Sequence, residues 1–166
     1  MKRFAVLLIL SLLLISLSSG GRAQGAAENV TKQITVHFRG FDKTGTYTGE
    51  AVDGVPNGTG SFTSVNDDQL EWTYTGQWKD GAFDGEGATV WSDGWEERGL
   101  YVQNVLVTGQ WVSNGTILYD GSFAWSDEEG NELYDGEGSM YNDLGLLIFT
   151  GQFSMGYLVE TAQARQ

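Results

Sequence analysis

The chain has 166 residues, and 9 lysine and arginine side chains against 22 aspartates and glutamates give it a formal charge of −13. The absence of cysteine excludes a disulfide framework, a cysteine-ligated metal and a cysteine nucleophile, and the single histidine, His37, excludes a site built from several histidines. The acidity argues against nucleic acid or a strongly anionic membrane as a partner. An aromatic content of 13% argues against disorder.

Residues 1–23 have the pattern of a secretory signal peptide. Two basic residues precede a 14-residue run, apolar except for two serines, over positions 4–17, and small residues then favour cleavage after Ala23, with Ala27 as a second candidate. The alternative is an uncleaved membrane anchor, but a spanning helix needs about 20 apolar residues. Cleavage after Ala23 leaves 143 residues with 6 basic and 22 acidic side chains, a net charge of −16, secreted or otherwise extracytoplasmic.

The rest of the chain repeats itself. The frame Y-x-G-x-x-x-x-G-x-x-x-G-x-G begins at Tyr47 and again at Tyr74, and weaker openings occur around Gly99, Gly121 and Gly151. This spacing predicts about five units of roughly 23 residues over 47–157, the third to fifth degenerate or partial, with acidic insertions at 65–71 and 127–133. Residues 24–46 are predicted as an N-terminal segment with a capping strand, and residues 158–166 as a polar tail.

Each unit has the pattern of a β-hairpin. Strand alternation places Tyr74, Gly76 and Trp78 on one face, where the glycine leaves room for two rings to lie over the backbone. Glycines interrupt every window that could hold a helix. One hairpin cannot bury its aromatic face alone, so we predict an all-β fold: an elongated, single-layer run of stacked antiparallel β-hairpins.

The stretch 74–87, YTGQWKDGAFDGEG, resembles the unit of the MORN repeat family (membrane occupation and recognition nexus) along its whole length. The resemblance covers about 47–157. The third unit departs from it, with Glu97 where tyrosine is expected and Asn104 where glycine is expected. The resemblance implies binding and scaffolding, sometimes at membranes, although phospholipid binding suits a chain of this charge poorly.

The aromatic side chains at or beside the repeated ring positions are the candidate binding residues. They have two interpretations: packing between hairpins, or a groove whose open faces stack on sugars or hold a peptide. The candidates are Tyr47, Tyr74, Trp78, Tyr101, Trp111, Tyr119, Phe123, Phe149 and Phe153.

Other constellations favour structural roles. His37 lies opposite the apolar face of its predicted strand, which indicates a solvated histidine. Asp84 and Glu86 could form a glycosidase pair, but they recur with the repeat and so favour a role in the unit. The acidic groups at 67–71 and 127–132 lack the spacing of a calcium loop and are predicted as solvated loops. We therefore predict no catalytic residue, no metal and no cofactor.

The sequence favours a secreted, non-enzymatic repeat protein that acts as a protein-interaction or scaffold module. The charge favours a basic, extracytoplasmic protein partner, and an exposed terminal hairpin could also pair two copies of the chain as a homodimer. The alternative is a glycan- or cell-wall-binding module that uses the aromatic groove. A purely structural spacer remains a further alternative.

Overall fold

A computed structural model describes residues 25–66 and 69–159, and this part of the chain contains strands and no helix. The predicted signal peptide and most of the predicted tail lie outside the described residues. The strands are β1 (Ala27–Phe38), β2 (Phe41–Val52), β3 (Val55–Val65), β4 (Glu71–Lys79), β5 (Ala82–Trp91), β6 (Trp95–Val102), β7 (Val105–Ser113), β8 (Thr116–Ser126), β9 (Asn131–Tyr141), β10 (Leu147–Ser154) and β11 (Tyr157–Leu158).

The strands form one open antiparallel sheet in which each strand pairs with its neighbour in sequence. This confirms the predicted all-β run of antiparallel hairpins. Because every connection is a hairpin, the packed contacts form between segments close in sequence, as in other repeat architectures. No described segment forms a helix that could cross a membrane.

A row of glycines crosses the sheet from β2 to β10 and explains part of the repeat. These glycines face one another in register on successive strands: Gly49, Gly60, Gly76, Gly87, Gly99, Gly109, Gly121, Gly138 and Gly151. A Cβ on Gly87 would lie 2.4 Å from the Tyr74 hydroxyl oxygen, and one on Gly138 would lie 2.2 Å from that of Tyr119. As predicted, the glycines let the rings lie directly over the backbone.

The same local geometry recurs where the tyrosines lie over this row. The Tyr74 hydroxyl donates to the carbonyl oxygen of Gln77 at 2.8 Å, and the Tyr119 hydroxyl donates to that of Ser122 at 3.0 Å. In β4 and in β8, a β-bulge follows the glycine of the row, Gly76 and Gly121 respectively. Each copy of the repeated frame therefore specifies three features together: a tyrosine ring over the glycine, a β-bulge after that glycine, and close contact between the ring and the backbone.

The core lies on one face of the sheet and is mainly aromatic. The first hairpin, β1–β2, contributes Val36 and Phe38 to it. Phe38 contacts rings on strands beyond its own hairpin, with centroid distances of 4.8 Å to Trp72, 5.6 Å to Phe83 and 6.4 Å to Trp91. At the tip of the first hairpin, residues 38–41, Phe38 therefore packs across the core face of the sheet rather than only beside β3, whereas Phe41 is exposed.

Candidate functional site

Most of the predicted binding rings are core residues. Seven of the nine are between 0% and 6% exposed, namely Tyr47, Tyr74, Trp78, Tyr101, Tyr119, Phe123 and Phe153. They pack on one another, for example Tyr74 at 5.5 Å from Trp78 and Tyr119 at 5.4 Å from Phe153. These seven rings have no open face for a ligand, and only Trp111 and Phe149 are partly exposed. The burial of these rings agrees with the first interpretation, packing between hairpins.

An open cleft lies instead beside the tip of the first hairpin. Trp91 at the end of β5 and Trp95 at the start of β6 flank the turn between those strands, and Trp111 lies on β7. The cleft has a volume of about 330 Å³, and we call it the tryptophan cleft; its lining is Arg39, Asn66, Leu70, Trp91, Asp93, Trp95, Trp111 and Asn131. Of these residues, only Trp111 was among the predicted binding rings.

Arg39, at the tip of the first hairpin, forms ion pairs with two buried carboxylates. Its guanidinium hydrogen-bonds Glu97 on β6, and its Nε lies 3.3 Å from Glu132 Oε2 on β9. The two glutamate side chains are 4% and 0% exposed. The predicted solvated acidic loop at 127–132 is therefore wrong at Glu132, because that side chain turns into the protein to meet Arg39.

The sequence contains one signal for this ion pair, the glutamate at position 97. Glu97 stands at the tyrosine position of the third repeat, which faces the core in the other units. A carboxylate at a core position needs a buried partner. The partner could not be found from the sequence because Arg39 lies 58 residues away in a different hairpin.

Burial shifts the acidity of Glu97. Loss of solvation raises the pKa of its carboxyl group to about 7, the nearby Arg39 guanidinium opposes this rise, and the Glu132 carboxylate adds to it. Trp111 lies close enough to lower the pKa slightly, although its indole nitrogen has no well-formed hydrogen bond. Glu97 and Glu132 also hold buried oxygens without a hydrogen-bond partner among the described residues.

A second surface stands out at the C-terminal end of the sheet. Strand β11 pairs only with Phe153 and Ser154, and the Val159 amide donates to the Gln152 carbonyl at 2.9 Å. Within the described residues, positions 147–151 of β10 therefore have one open side, which we call the outer edge. Six apolar side chains here are 47% to 81% exposed: Leu144, Leu146, Leu147, Ile148, Tyr157 and Leu158.

The remaining candidates have structural contacts. His37 is exposed and hydrogen-bonds Asp42 at 2.9 Å. Asp84 accepts the backbone N–H of Gln103 at 3.3 Å, in the turn of the next hairpin, and Asp135 accepts that of Met155 at 3.1 Å in the same way. These recurring carboxylates therefore stabilise the turn of the following hairpin through a backbone hydrogen bond. Among the described residues, no three carboxylate or imidazole groups come together as a metal site.

Comparison with known proteins adds no relative: no protein-family model matches this chain, and no curated protein is significantly similar to it.

Proposed function

We propose that this chain is a secreted, non-enzymatic interaction module that binds another protein at the outer edge of its sheet. The repeat frame supports a place among MORN-type repeat proteins, and the predicted signal peptide supports action outside the cytoplasm. The observation that carries the function is the outer edge itself, where residues 147–151 of β10 have no strand partner on one side among the described residues and exposed apolar side chains lie beside them.

An open strand edge offers a row of backbone N–H and C=O groups to an incoming strand. Proteins usually protect such edges with charge, proline or a covering segment. Here Leu147 and Ile148 lie on the edge strand, and both are at least 60% exposed. A partner that adds a strand would satisfy the backbone groups and cover the apolar side chains at once.

The charge around the edge selects the partner. Glu137 lies opposite Gln152 on the neighbouring strand, and Asp143 lies in the loop that leads into β10. The mature chain carries −16 overall if cleavage follows Ala23. An extended segment with apolar side chains on one face and basic side chains on the other would complement this surface, and salt would weaken its binding.

The test uses a synthetic nine-residue peptide that alternates isoleucine with lysine, added to the full mature chain. Amide hydrogen exchange is measured before and after addition. We expect the peptide to slow exchange at residues 147–151, because a new strand would take up their open backbone groups. A peptide with glutamate in place of lysine should give no protection.

The matched variants are Ile148→Ser at the edge and Val90→Ser, which removes an exposed apolar side chain from the central strand β5. Ile148→Ser should weaken peptide binding by at least about tenfold, since fully covering one isoleucine is worth about 1.5–3 kcal/mol, and Val90→Ser should leave it unchanged. The proposal fails if the peptide protects no amide of 147–151, or if these amides already exchange slowly without it.

A further inference from the structure

We propose that the tryptophan cleft binds a short neutral oligosaccharide. This site lies at the hairpin tip and the β5–β6 turn, and it shares no residue with the outer edge. The inference therefore does not rest on the protein-binding function, and either can fail alone.

Two indoles of the cleft, those of Trp95 and Trp111, are accessible to solvent. Trp95 is 42% exposed and makes no ring contact with any described aromatic residue, so its face is open to a ligand. Trp111 is half-buried and is supported from beneath by Phe123 and Tyr134, with centroids at 5.3 and 5.1 Å. A large open ring beside a supported one forms a platform on which a flat apolar surface can stack.

The three tryptophan rings of the cleft lie apart from one another. Trp91 is held in place, with the Arg39 guanidinium 5.1 Å from its ring centroid and Phe38 stacked against it. Among the ring contacts of the described residues, none joins Trp91, Trp95 and Trp111 to one another. Separate rings do not make the tight aromatic cage that holds a quaternary ammonium. They suit a wider ligand with several faces, such as linked sugar rings.

The lining of the cleft also carries polar side chains. The side-chain amide of Asn131 supplies donors, and the Asp93 carboxylate, which accepts the Trp95 backbone N–H at 3.2 Å, has further acceptor capacity. Hydroxyl groups both donate and accept, so a polyhydroxylated ligand can use both kinds of group. A cleft with apolar platforms and a few polar groups is the usual form of a small-ligand site.

Charge decides which sugars fit. The Arg39 guanidinium is already matched by Glu97 and Glu132, and Asp93 adds a further carboxylate to the wall of the cleft. Arg39 is the one basic residue among the described residues that line the tryptophan cleft, and its charge is already paired, so this lining offers no free cation to an anionic sugar, a sulfate or a phosphate. The net acidity of the chain repels such groups as well. The cleft is therefore suited to neutral sugars.

The cleft also has room for more than one ring. A second depression of about 390 Å³ shares Arg39, Asn66, Trp91 and Asn131 with the tryptophan cleft, and its further lining includes Lys43 and Glu129, one basic and one acidic side chain. Pockets that hold small ligands run from about 300 to 1,000 Å³. The two volumes together accommodate an oligosaccharide rather than a single sugar alone.

The experiment titrates the mature chain with cellohexaose, maltohexaose and chitohexaose, followed by calorimetry and by tryptophan fluorescence. An oligogalacturonate of similar length is the anionic comparison. We expect at least one neutral hexaose to bind and to change the tryptophan emission, and the oligogalacturonate to give no signal.

Two variants on the same strand make the result specific. Trp95→Ala removes the open platform, and Leu100→Ala removes an exposed apolar side chain from the opposite face of β6. Trp95→Ala should weaken hexaose binding about tenfold with little change in Tm, and Leu100→Ala should leave binding unchanged. The inference is overturned if no neutral hexaose binds, or if both variants bind as well as the parent chain.

Discussion

At the scale of single residues, the glycine row is where side-chain chemistry controls the backbone most directly. Gly87 has an ordinary extended backbone, so an alanine could adopt its dihedral angles without strain. What excludes a side chain is the ring of Tyr74, which lies over the glycine and hydrogen-bonds the chain three residues on. At Gly87 the glycine therefore provides space rather than backbone freedom, whereas Gly99 and Gly109 in the same row also have positive φ values of 149° and 153°.

The substitution Gly87→Ala tests whether the Tyr74 ring is what excludes a side chain at this position. The added Cβ would meet the Tyr74 hydroxyl oxygen at 2.4 Å, so the buried ring must move. We expect the free energy of unfolding to fall by about 1–3 kcal/mol, measured by urea denaturation. The control is Thr75→Ala, an exposed position beside the ladder, which should change it by less than about 0.5 kcal/mol. Equal effects of the two changes would contradict the steric explanation.

At the scale of elements, the first hairpin does more than begin the sheet. Its tip crosses the inner face, where Phe38 joins the core and Arg39 pairs with carboxylates on β6 and β9. This ties the start of the run to strands that the repeat alone would leave far apart. A buried ion pair of this kind adds little net stability, but losing one member leaves a charge buried without its partner.

Arg39→Met should therefore destabilise the chain by about 3 kcal/mol at pH 8. The loss should be smaller at pH 5, because a protonated Glu97 needs no counter-charge. Chemical denaturation at both pH values measures it. Lys79→Met removes the same charge from an exposed site and should change stability by less than about 0.5 kcal/mol at either pH. A loss that is the same at pH 5 and pH 8 would show that Arg39 does not act on Glu97.

At the scale of the whole molecule, acidic side chains control how the stability of the fold depends on pH. The pKa of Glu97 is raised above its ordinary value of 4.5 to about 7, so the folded chain retains a proton that the unfolded chain releases. Stability from this group is fully present below about pH 4.5 and is lost as the pH rises through about 7. Repulsion among the other carboxylates acts in the same direction.

Glu97→Gln separates the two effects. The free energy of unfolding of the parent chain should fall by about 1–3 kcal/mol between pH 4.5 and pH 8. In Glu97→Gln the fall should be smaller, since glutamine does not titrate. Glu96→Gln removes the same charge on the opposite face of β6 and should keep the steep dependence. Parallel curves for the parent chain and Glu97→Gln would exclude Glu97 as the titrating group.

The sequence predicted the fold well because its signals are local. Tyr74, Gly76 and Trp78 lie two residues apart, so strand alternation alone places them on one face, and the structure has Tyr74 and Trp78 in the core. The candidate site was predicted less well. The repeated rings had two interpretations, packing between hairpins or a binding groove, and seven of the nine rings are buried.

What the sequence determined by itself is the repeated antiparallel hairpin, the glycine row and the aromatic face, because all of these depend on residues within about one unit of each other. Only the tertiary structure decided that Arg39 would meet Glu97 and Glu132, that Trp95 would stand open beside Trp111, and that, among the described residues, 147–151 would have one open side. Each of these depends on the twist of the sheet and on where the run of strands stops, and those are properties of the assembled sheet rather than of any single repeat.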